Sequence, residues 1–191
     1  LNAIRTTYNF IHKKKDLNGA HIAISGVGKV GGKLAKLLFK NGAKISASSI
    51  SKELLKELRR EIHFTEVSPE NLYKTSCDII SPCALGGAIN ASTREQLKCK
   101  AIVGAANNQL ANPQIADWLL KNKIIYSPDY LVNSGGVIAI ASEINGTENT
   151  LGEQLDKISD RLTPVLIESK KNNESTDAVS RRIAWERVNA S

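Results

Sequence analysis

Three glycines with a fixed spacing are the residues of this chain best suited to chemistry. They lie in Gly26-Val27-Gly28-Lys29-Val30-Gly31, between an apolar stretch at 21–25 and an amphipathic stretch at 33–39. In such a unit the first glycine permits a tight turn, the second lets a pyrophosphate approach the backbone, and the third lets the helix pack on the strand. The free N–H groups of the helix then face the phosphates. The run predicts a dinucleotide site; the alternative is a glycine-rich turn that binds nothing.

The end of the second predicted strand departs from that pattern. An acid is expected there, about 20 residues beyond the glycine turn, where it accepts hydrogen bonds from the adenosine ribose hydroxyls. The matching position is Ser49, and Lys52 follows three residues later. Hydroxyls and a lysine suit the 2′-phosphate of NADP, whereas the other interpretation is a weaker NAD site. We predict NAD as the cofactor and leave NADP open.

The elements that must position these residues alternate between strands and helices. Between the strands predicted at 77–80 and 101–103, Thr93 with Gln96 predicts a capping box for a short helix. The alternation indicates an α/β fold with a Rossmann-like, doubly wound, mostly parallel sheet and a helical C-terminal tail, all within one dinucleotide-binding domain over 1–191. Strands are predicted at 20–25, 43–48, 63–67, 77–80, 101–103 and 124–126, and helices at 1–15, 29–41, 51–60, from 68, at 112–120, at 133–144 and twice in the tail from about 148.

Composition excludes several classes of protein. Of the 191 residues 41% are hydrophobic, and no apolar run has the roughly 18 residues of a membrane helix. The net charge is +7, but aromatic residues are only 5%, so we predict neither a nucleic-acid nor a membrane partner. The basic run His12-Lys13-Lys14-Lys15 is expected to end the first helix and complement its dipole. Because the chain begins at Leu1 and contains no Met, we expect that residues N-terminal to it have been lost.

Three cysteines bear on metal binding and on the cell compartment. Cys77, Cys83 and Cys99 are an odd number without a C-x-x-C pair, which disfavours both a disulfide framework and a zinc site. Reduced thiols in a cytoplasmic protein fit best, and we predict no metal. Cys83 is either a small buried thiol or part of a site wall.

Three further segments carry a family resemblance. They are Cys77-Asp78-Ile79-Ile80-Ser81-Pro82-Cys83-Ala84-Leu85-Gly86, Ala105-Ala106-Asn107-Asn108-Gln109-Leu110 and the segment 126–138, which reads YSPDYLVNSGGVI. Behind the glycine turn, in this order and spacing, they resemble the leucine/phenylalanine/valine dehydrogenase branch of the amino-acid dehydrogenases. The resemblance implies a homo-oligomer that deaminates an apolar L-amino acid oxidatively to its 2-oxo acid and ammonia, with hydride passing to a nicotinamide.

The resemblance also implies roles for individual residues. Asn133 would contact the carboxamide or the substrate carboxylate, and Leu162 and Val165 would wall the substrate side-chain pocket. Turn chemistry is the alternative for Asn107, Asn108 and Asn133, and a plain core face is the alternative for Leu162 and Val165. The coenzyme would be held by Gly26, Val27, Gly28, Lys29, Val30, Gly31, Gly32, Ser49, Ala84, Ala106, Asn107 and Asn133.

One part of the family pattern has no match. The family's catalytic lysines lie in an N-terminal substrate domain, in a glycine-rich lysine motif that this chain lacks. We therefore predict no catalytic residue here, an amino-acid site shared with an absent N-terminal domain, and an inactive isolated chain. Two hypotheses remain: the coenzyme-binding domain of an NAD(P)-dependent dehydrogenase, or a non-catalytic dinucleotide-binding or sensor module.

Overall fold

A six-stranded parallel sheet organises the chain. The computed structural model describes residues 1–190, apart from the side chains of residues 137 and 148. The strand order is β3-β2-β1-β4-β5-β6 and every neighbouring pair is parallel, which confirms the predicted doubly wound fold. The strands are β1 His21–Ser25, β2 Lys44–Ser48, β3 Thr65–Glu66, β4 Cys77–Pro82, β5 Cys99–Ile102 and β6 Ile125–Tyr126.

Helices connect the strands and form the tail. None of the described helices is both long and apolar enough to cross a bilayer. The helices are α1 Asn2–His12, α2 Lys29–Lys40, α3 Lys52–Arg59, α4 Pro69–Leu72, α5 Ala91–Arg94, α6 Gln114–Lys121, α7 Asp129–Val132, α8 Gly135–Ile144, α9 Leu151–Asn172 and α10 Thr176–Asn189, with a 3-10 turn at Glu148–Thr150.

The core divides into two clusters, one on each face of the sheet. Ile22 and Ile24 of β1 belong to the first cluster and Ala23 to the second, because successive strand residues point to opposite faces. Helices α1, α2, α3 and α9 cover the first face, and α4 and α6 cover the second. Both faces are therefore buried, as a sheet with crossover helices on each side requires.

Several predicted boundaries were wrong. Helix α1 ends at His12 rather than at residue 15, because Lys13 adopts the left-handed conformation (φ 58°) and its N–H donates to Asn9 O. The predicted helix over 133–144 begins only at Gly135, behind the separate short helix α7. The third strand keeps just two of its five predicted residues.

The capping box was also placed wrongly. Asn90, not Thr93, caps α5: its Oδ1 accepts from the N–H groups of Ser92 and Thr93. Thr93 Oγ1 in turn accepts from Asn90 N at 2.9 Å. The loop before α5 supplies the cap, so the helix begins earlier than the Thr93–Gln96 pattern indicated.

The amino ends of the strands meet around one carboxylate. Asp78 accepts from His21 N and from Lys100 Nζ, each at 3.0 Å, and His12 Nε2 lies 2.9 Å from it. The neighbouring residue, Cys77, is the register partner of Cys99, although both thiols are free. Burial raises the pKa of each thiol to about 12, so both stay protonated at neutral pH.

Candidate coenzyme site

The glycine turn joins β1 to α2 at the carboxyl edge of the sheet. Gly26 has φ +91°, and a Cβ there would lie 2.7 Å from Ala84 Cβ. A Cβ on Gly31 would lie 2.0 Å from the carbonyl oxygen of Gly26. Gly28 differs, because a Cβ there would meet no heavy atom within 4 Å. Two glycines therefore allow close packing, and Gly28 faces open space where a ligand can approach.

The first turn of α2 offers donors to an anion. Gly28 is the N-cap and contributes no side-chain hydrogen bond, so the first N–H groups of the helix are not capped. Lys29 and Val30 are exposed at the start of this helix, whereas Val27 and Gly32 are buried beneath it. Uncapped N–H groups with the positive end of the helix dipole form an anion site.

The crevice lies where the strand order reverses. Strands β1 and β4 are neighbours at the centre of the sheet, and the chain leaves them in opposite directions, which is where open α/β sheets bind ligands. Cys83 N donates to Ser25 O at 2.7 Å, and a Cβ on Gly104 would lie 2.3 Å from Pro82 O. Cys83 itself lies half-buried beneath the turn, and burial raises the pKa of its thiol.

Beyond the crevice, an asparagine ties two loops together. Asn133 Nδ2 donates to Ala106 O at 2.8 Å and to Asn107 Oδ1 at 3.0 Å. Ser134, not Asn133, is the N-cap of α8, so the cap expected from turn chemistry is wrong for Asn133. Asn108 does have a left-handed backbone (φ 52°), in keeping with that chemistry. The structure thus brings together Ala106, Asn107 and Asn133, while Ala84 is exposed beside Gly26.

Two buried polar residues behind this cluster escaped the sequence analysis. Asp129 accepts from the N–H groups of Gln109 and Tyr130, both at 2.7 Å. Gln109 is fully buried and donates from Nε2 to Ala106 O, and within residues 1–190 its Oε1 has no hydrogen-bond partner. Asp129 and Gln109 both lie inside the segments that carried the resemblance, but the sequence pattern did not indicate that they are in contact.

Helix α10 is linked to the same loops. Burial raises the pKa of Tyr130 to about 12, so its hydroxyl stays protonated and donates to Asp177 Oδ1 at 3.1 Å. Asp177 also pairs with Arg181 at 2.8 Å. The tail therefore packs against the segment after β6 through polar contacts as well as through its apolar face.

Ser49 lies at the end of β2, beside an ion-pair cluster. Its Oγ accepts from Ser51 N at 3.2 Å. The ammonium of Lys52 bonds to Glu66 Oε1 at 2.9 Å, and Arg59 bonds to the other oxygen at 2.8 Å. The hydrogen bond from Lys52, assisted by Arg59, lowers the pKa of Glu66. In this structure Lys52 points to Glu66 and is not an unpaired cation beside Ser49.

The residues expected to wall a substrate pocket lie in the core. Leu162 is fully buried and belongs to the first core cluster, and Val165 is 2% exposed. Burial of both side chains does not distinguish a core face from a pocket wall, so their role as pocket walls stays a prediction. No group of three or more His, Cys, Asp and Glu side chains that could hold a metal occurs in the described part of the chain.

The doubly wound sheet, the glycine turn and the open crevice define a dinucleotide-binding domain. A family model of glutamate/leucine/phenylalanine/valine dehydrogenases matches residues 49–189. Leucine dehydrogenase of Geobacillus stearothermophilus is 38% identical over 173 residues, which is 90% of this chain and 47% of the relative. Phenylalanine dehydrogenase of Thermoactinomyces intermedius is 36% identical over 192 residues, 98% of this chain and 52% of the relative.

A solved structure supports the same assignment. The crystal structure of L-tryptophan dehydrogenase from Nostoc punctiforme superposes with a TM-score of 0.95 at 34% identity, covering 99% of this chain and 57% of that one. The chain belongs to the glutamate/leucine/phenylalanine/valine dehydrogenase family, which confirms the resemblance. It spans about half the length of the curated relatives that it matches.

Proposed function

We propose that this chain is the coenzyme-binding half of an NAD(P)-dependent dehydrogenase that deaminates an apolar L-amino acid oxidatively. The observation that carries the proposal is the open position at Gly28, above an uncapped helix N-terminus at the carboxyl edge of the sheet. The similar leucine, phenylalanine and tryptophan dehydrogenases favour an apolar substrate. We further propose that the protein is a cytoplasmic homo-oligomer whose amino-acid site is shared with an N-terminal domain.

The residues of the crevice fit a nicotinamide dinucleotide. Gly26 to Gly32 would hold the pyrophosphate, since no side chain obstructs its approach at Gly28 and the first turn of α2 has uncapped N–H donors. The nicotinamide, when bound, would accept hydride from the α-carbon of the substrate. Ala84, Ala106 and Asn107 would line its ribose side, Ala84 and Asn107 as exposed residues of the crevice.

The orientation of the Asn133 side chain supports one of its two candidate contacts. Both Nδ2 hydrogens have acceptors, Ala106 O and Asn107 Oδ1, and rotating the amide would place Oδ1 against a carbonyl. Its Oδ1 is therefore the atom left to meet a ligand. An acceptor suits the NH2 group of the nicotinamide carboxamide and repels a carboxylate, so we assign Asn133 to the carboxamide.

The coenzyme choice rests on the neutral Ser49. A carboxylate at this position would repel a 2′-phosphate, and Ser49 does not. The nearby cations Lys52 and Arg59 both pair with Glu66. We propose that the domain binds NAD and discriminates only weakly against NADP.

Calorimetry with NADH tests the coenzyme site directly. Gly28→Val should weaken binding at least a hundredfold, about 2.7 kcal/mol, because the side chain fills the space of the pyrophosphate. The free energy of unfolding should change little, since nothing lies near that Cβ. Gly152→Val, in α9 with an equally open Cβ position, is the matched control and should bind as the unmodified chain does. Equal affinity of all three proteins would reject the site.

A turnover assay separates the enzyme from the sensor module. The chain alone, saturated with NAD, should not oxidise leucine, valine or phenylalanine, because the sequence has no match to the family's lysine motif, which would position the substrate and take its ammonium proton. Mixing it with the N-terminal half of a leucine dehydrogenase should restore reduction of NAD. NADH binding without any restored turnover would favour the sensor module, and turnover by the chain alone would contradict our placement of the catalytic groups.

A further inference from the structure

A groove unrelated to the glycine turn lies beside the outermost strand, β6. It has a volume of about 370 Å³ and is bounded by α1, α6, β6, α9 and the start of α10. This size is at the lower end of the range for small-molecule sites. Most of its walls are apolar, and they include Phe10, Ile11, Ala116, Leu120, Ile125 and Leu166.

Part of the groove lies at the amino edge of the sheet, away from the glycine turn. Lys123 in its lining occupies the turn just before β6, and Lys170 lies two residues before the end of α9. The glycine turn follows the carboxyl end of β1, at the other edge of the same parallel sheet. A ligand in the groove would thus be separate from the coenzyme.

Three lysines lie in or near the groove: Lys123 and Lys170 belong to its lining, and Lys13 lies outside the lining, over the Phe10 ring. The ammonium groups of Lys13 and Lys170 lie 5.0 and 5.9 Å from the centroid of the Phe10 ring. Across the part of the chain that the structure describes, neither of them nor Lys123 forms a salt bridge, and the lining contains no acid. A cation over an aromatic face keeps its charge available to an anion.

One end of the groove is more positive than the other. Asp117 and Glu174 line an adjoining hollow that shares Lys123 with the groove, so acids lie near that lysine. At the Phe10 end lie the ammonium groups of Lys13 and Lys170. The lining beside them contains no acid. An anionic head group is therefore best placed there, with the apolar walls beyond it.

We propose that this groove binds an amphiphilic monocarboxylate. The carboxylate lies between Lys13 and Lys170, and the apolar chain packs on Ile11, Leu120 and Ile125. A neutral apolar ligand would leave both ammonium groups without a partner, and a small anion without a chain would leave the walls in water. Only a ligand with both parts complements the groove.

A chain-length series tests both parts of the site. Calorimetric titration of the 191-residue chain with hexanoate, octanoate and decanoate should show affinity rising roughly fourfold per methylene, the factor expected for burying one CH2 group. Decanol and decyltrimethylammonium should bind at least tenfold more weakly than decanoate. Affinity that is independent of chain length, or equal for the carboxylate and the cation, would overturn the proposal.

Charge reversal at one lysine locates the carboxylate. Lys170→Glu should weaken decanoate binding at least tenfold. Lys171→Glu makes the same charge change one residue along, outside the groove lining, and should leave the affinity unchanged. Equal losses in both variants would mean non-specific attraction to a basic surface and would overturn the site. NADH affinity should stay constant in both variants, so failure here is distinguishable from failure of the coenzyme proposal.

Light scattering tests the alternative that a second copy of the chain occupies the groove. If the groove is a ligand site, Lys170→Glu should leave the molar mass of the purified chain unchanged and decanoate should still bind to the unmodified protein. A mass that falls in Lys170→Glu, together with no decanoate binding, would assign the groove to a protein interface and overturn the proposal.

Discussion

Different kinds of contact stabilise the two edges of the sheet. At the carboxyl edge the contacts are between backbone atoms, and the glycines at 26, 31 and 104 are there because a Cβ would collide. At the amino edge the contacts are between charged side chains, with Asp78 gathering His12, Lys100 and the N–H of His21. The glycine turn at one edge leaves room for a ligand, whereas the surroundings of Asp78 at the other edge are linked by ion pairs.

The polarity of a parallel sheet explains the contrast. The crossover helices that follow the strands begin at the carboxyl edge and end at the amino edge, so their positive dipole ends face the crevice. Their negative ends are met by cations in the last turn, for example Lys40 of α2 and Lys121 of α6. These two lysines therefore lie at the opposite edge from the coenzyme site.

The largest effect is expected where the backbone packs most tightly. Gly31→Ala places a Cβ 2.0 Å from Gly26 O, and neither backbone segment can yield without opening the turn. We expect a loss of about 3 kcal/mol in the free energy of unfolding, measured by urea denaturation. Gly28→Ala, three residues away in the same turn, should change it by no more than about 0.5 kcal/mol. Equal destabilisation of the two variants would mean that close packing does not distinguish these glycines.

A smaller effect is expected at the amino edge. Asp78→Ala leaves His21 N without its acceptor and removes both ion pairs, which should cost about 2 kcal/mol of stability. Coenzyme affinity should stay the same, because the crevice lies at the other edge. Asp160→Ala, an exposed acid in α9, is the control and should be neutral.

The pH dependence of stability sharpens that comparison. Burial of the Asp78 carboxyl opposes ionisation, but hydrogen bonds from His21 N and Lys100, with the charges of Lys100 and His12, lower its pKa. The ionised Asp78 carboxylate therefore contributes fully to the free energy of unfolding above the ordinary aspartate pKa, about 4. This contribution is lost as the pH falls through the lower pKa that Asp78 has in the folded protein. The stability difference between the unmodified chain and Asp78→Ala should shrink below about pH 4. A difference that stays constant into strong acid would contradict the ion-pair account.

The smallest effect concerns the choice of coenzyme. Ser49→Asp should shift the NAD/NADP affinity ratio toward NAD by about tenfold, or 1.4 kcal/mol, because a carboxylate repels the 2′-phosphate. Glu53→Gln, which alters an exposed charge in the first turn of α3, serves as the control. If the unmodified chain already prefers NAD by a hundredfold, about 2.7 kcal/mol, the neutral Ser49 does not set the preference.

The fold and the turn could be predicted because their signals are local. The glycine spacing, the flanking strand and helix, and the alternation of elements are all visible within short windows, and the sheet follows from them. The strand order was not predicted from any window, since it depends on which strands pair across the molecule. The register pairing of Cys77 with Cys99 is another long-range fact, invisible to an argument from cysteine spacing.

Site residues that act through tertiary contacts were the hardest to predict. Helical spacing in α9 cannot tell a pocket wall from a core face, and burial places Leu162 in the core. Lys52 was a candidate partner for a 2′-phosphate in one of two open interpretations, and the structure pairs it with Glu66 of β3. Asn133 was assigned from its motif, and only the structure shows that its Nδ2 donates to both Ala106 O and Asn107 Oδ1.

The carboxylate of Asp129 has a consequence for hydrogen exchange. It holds the amides of Gln109 and Tyr130, which are distant in the chain, with bonds of 2.7 Å each. Neither amide can exchange with solvent until its hydrogen bond to the Asp129 carboxylate breaks. A single opening event that moves this carboxylate therefore exposes both amides. The two loops should therefore behave as one unit of local unfolding, with matching protection at the two amides.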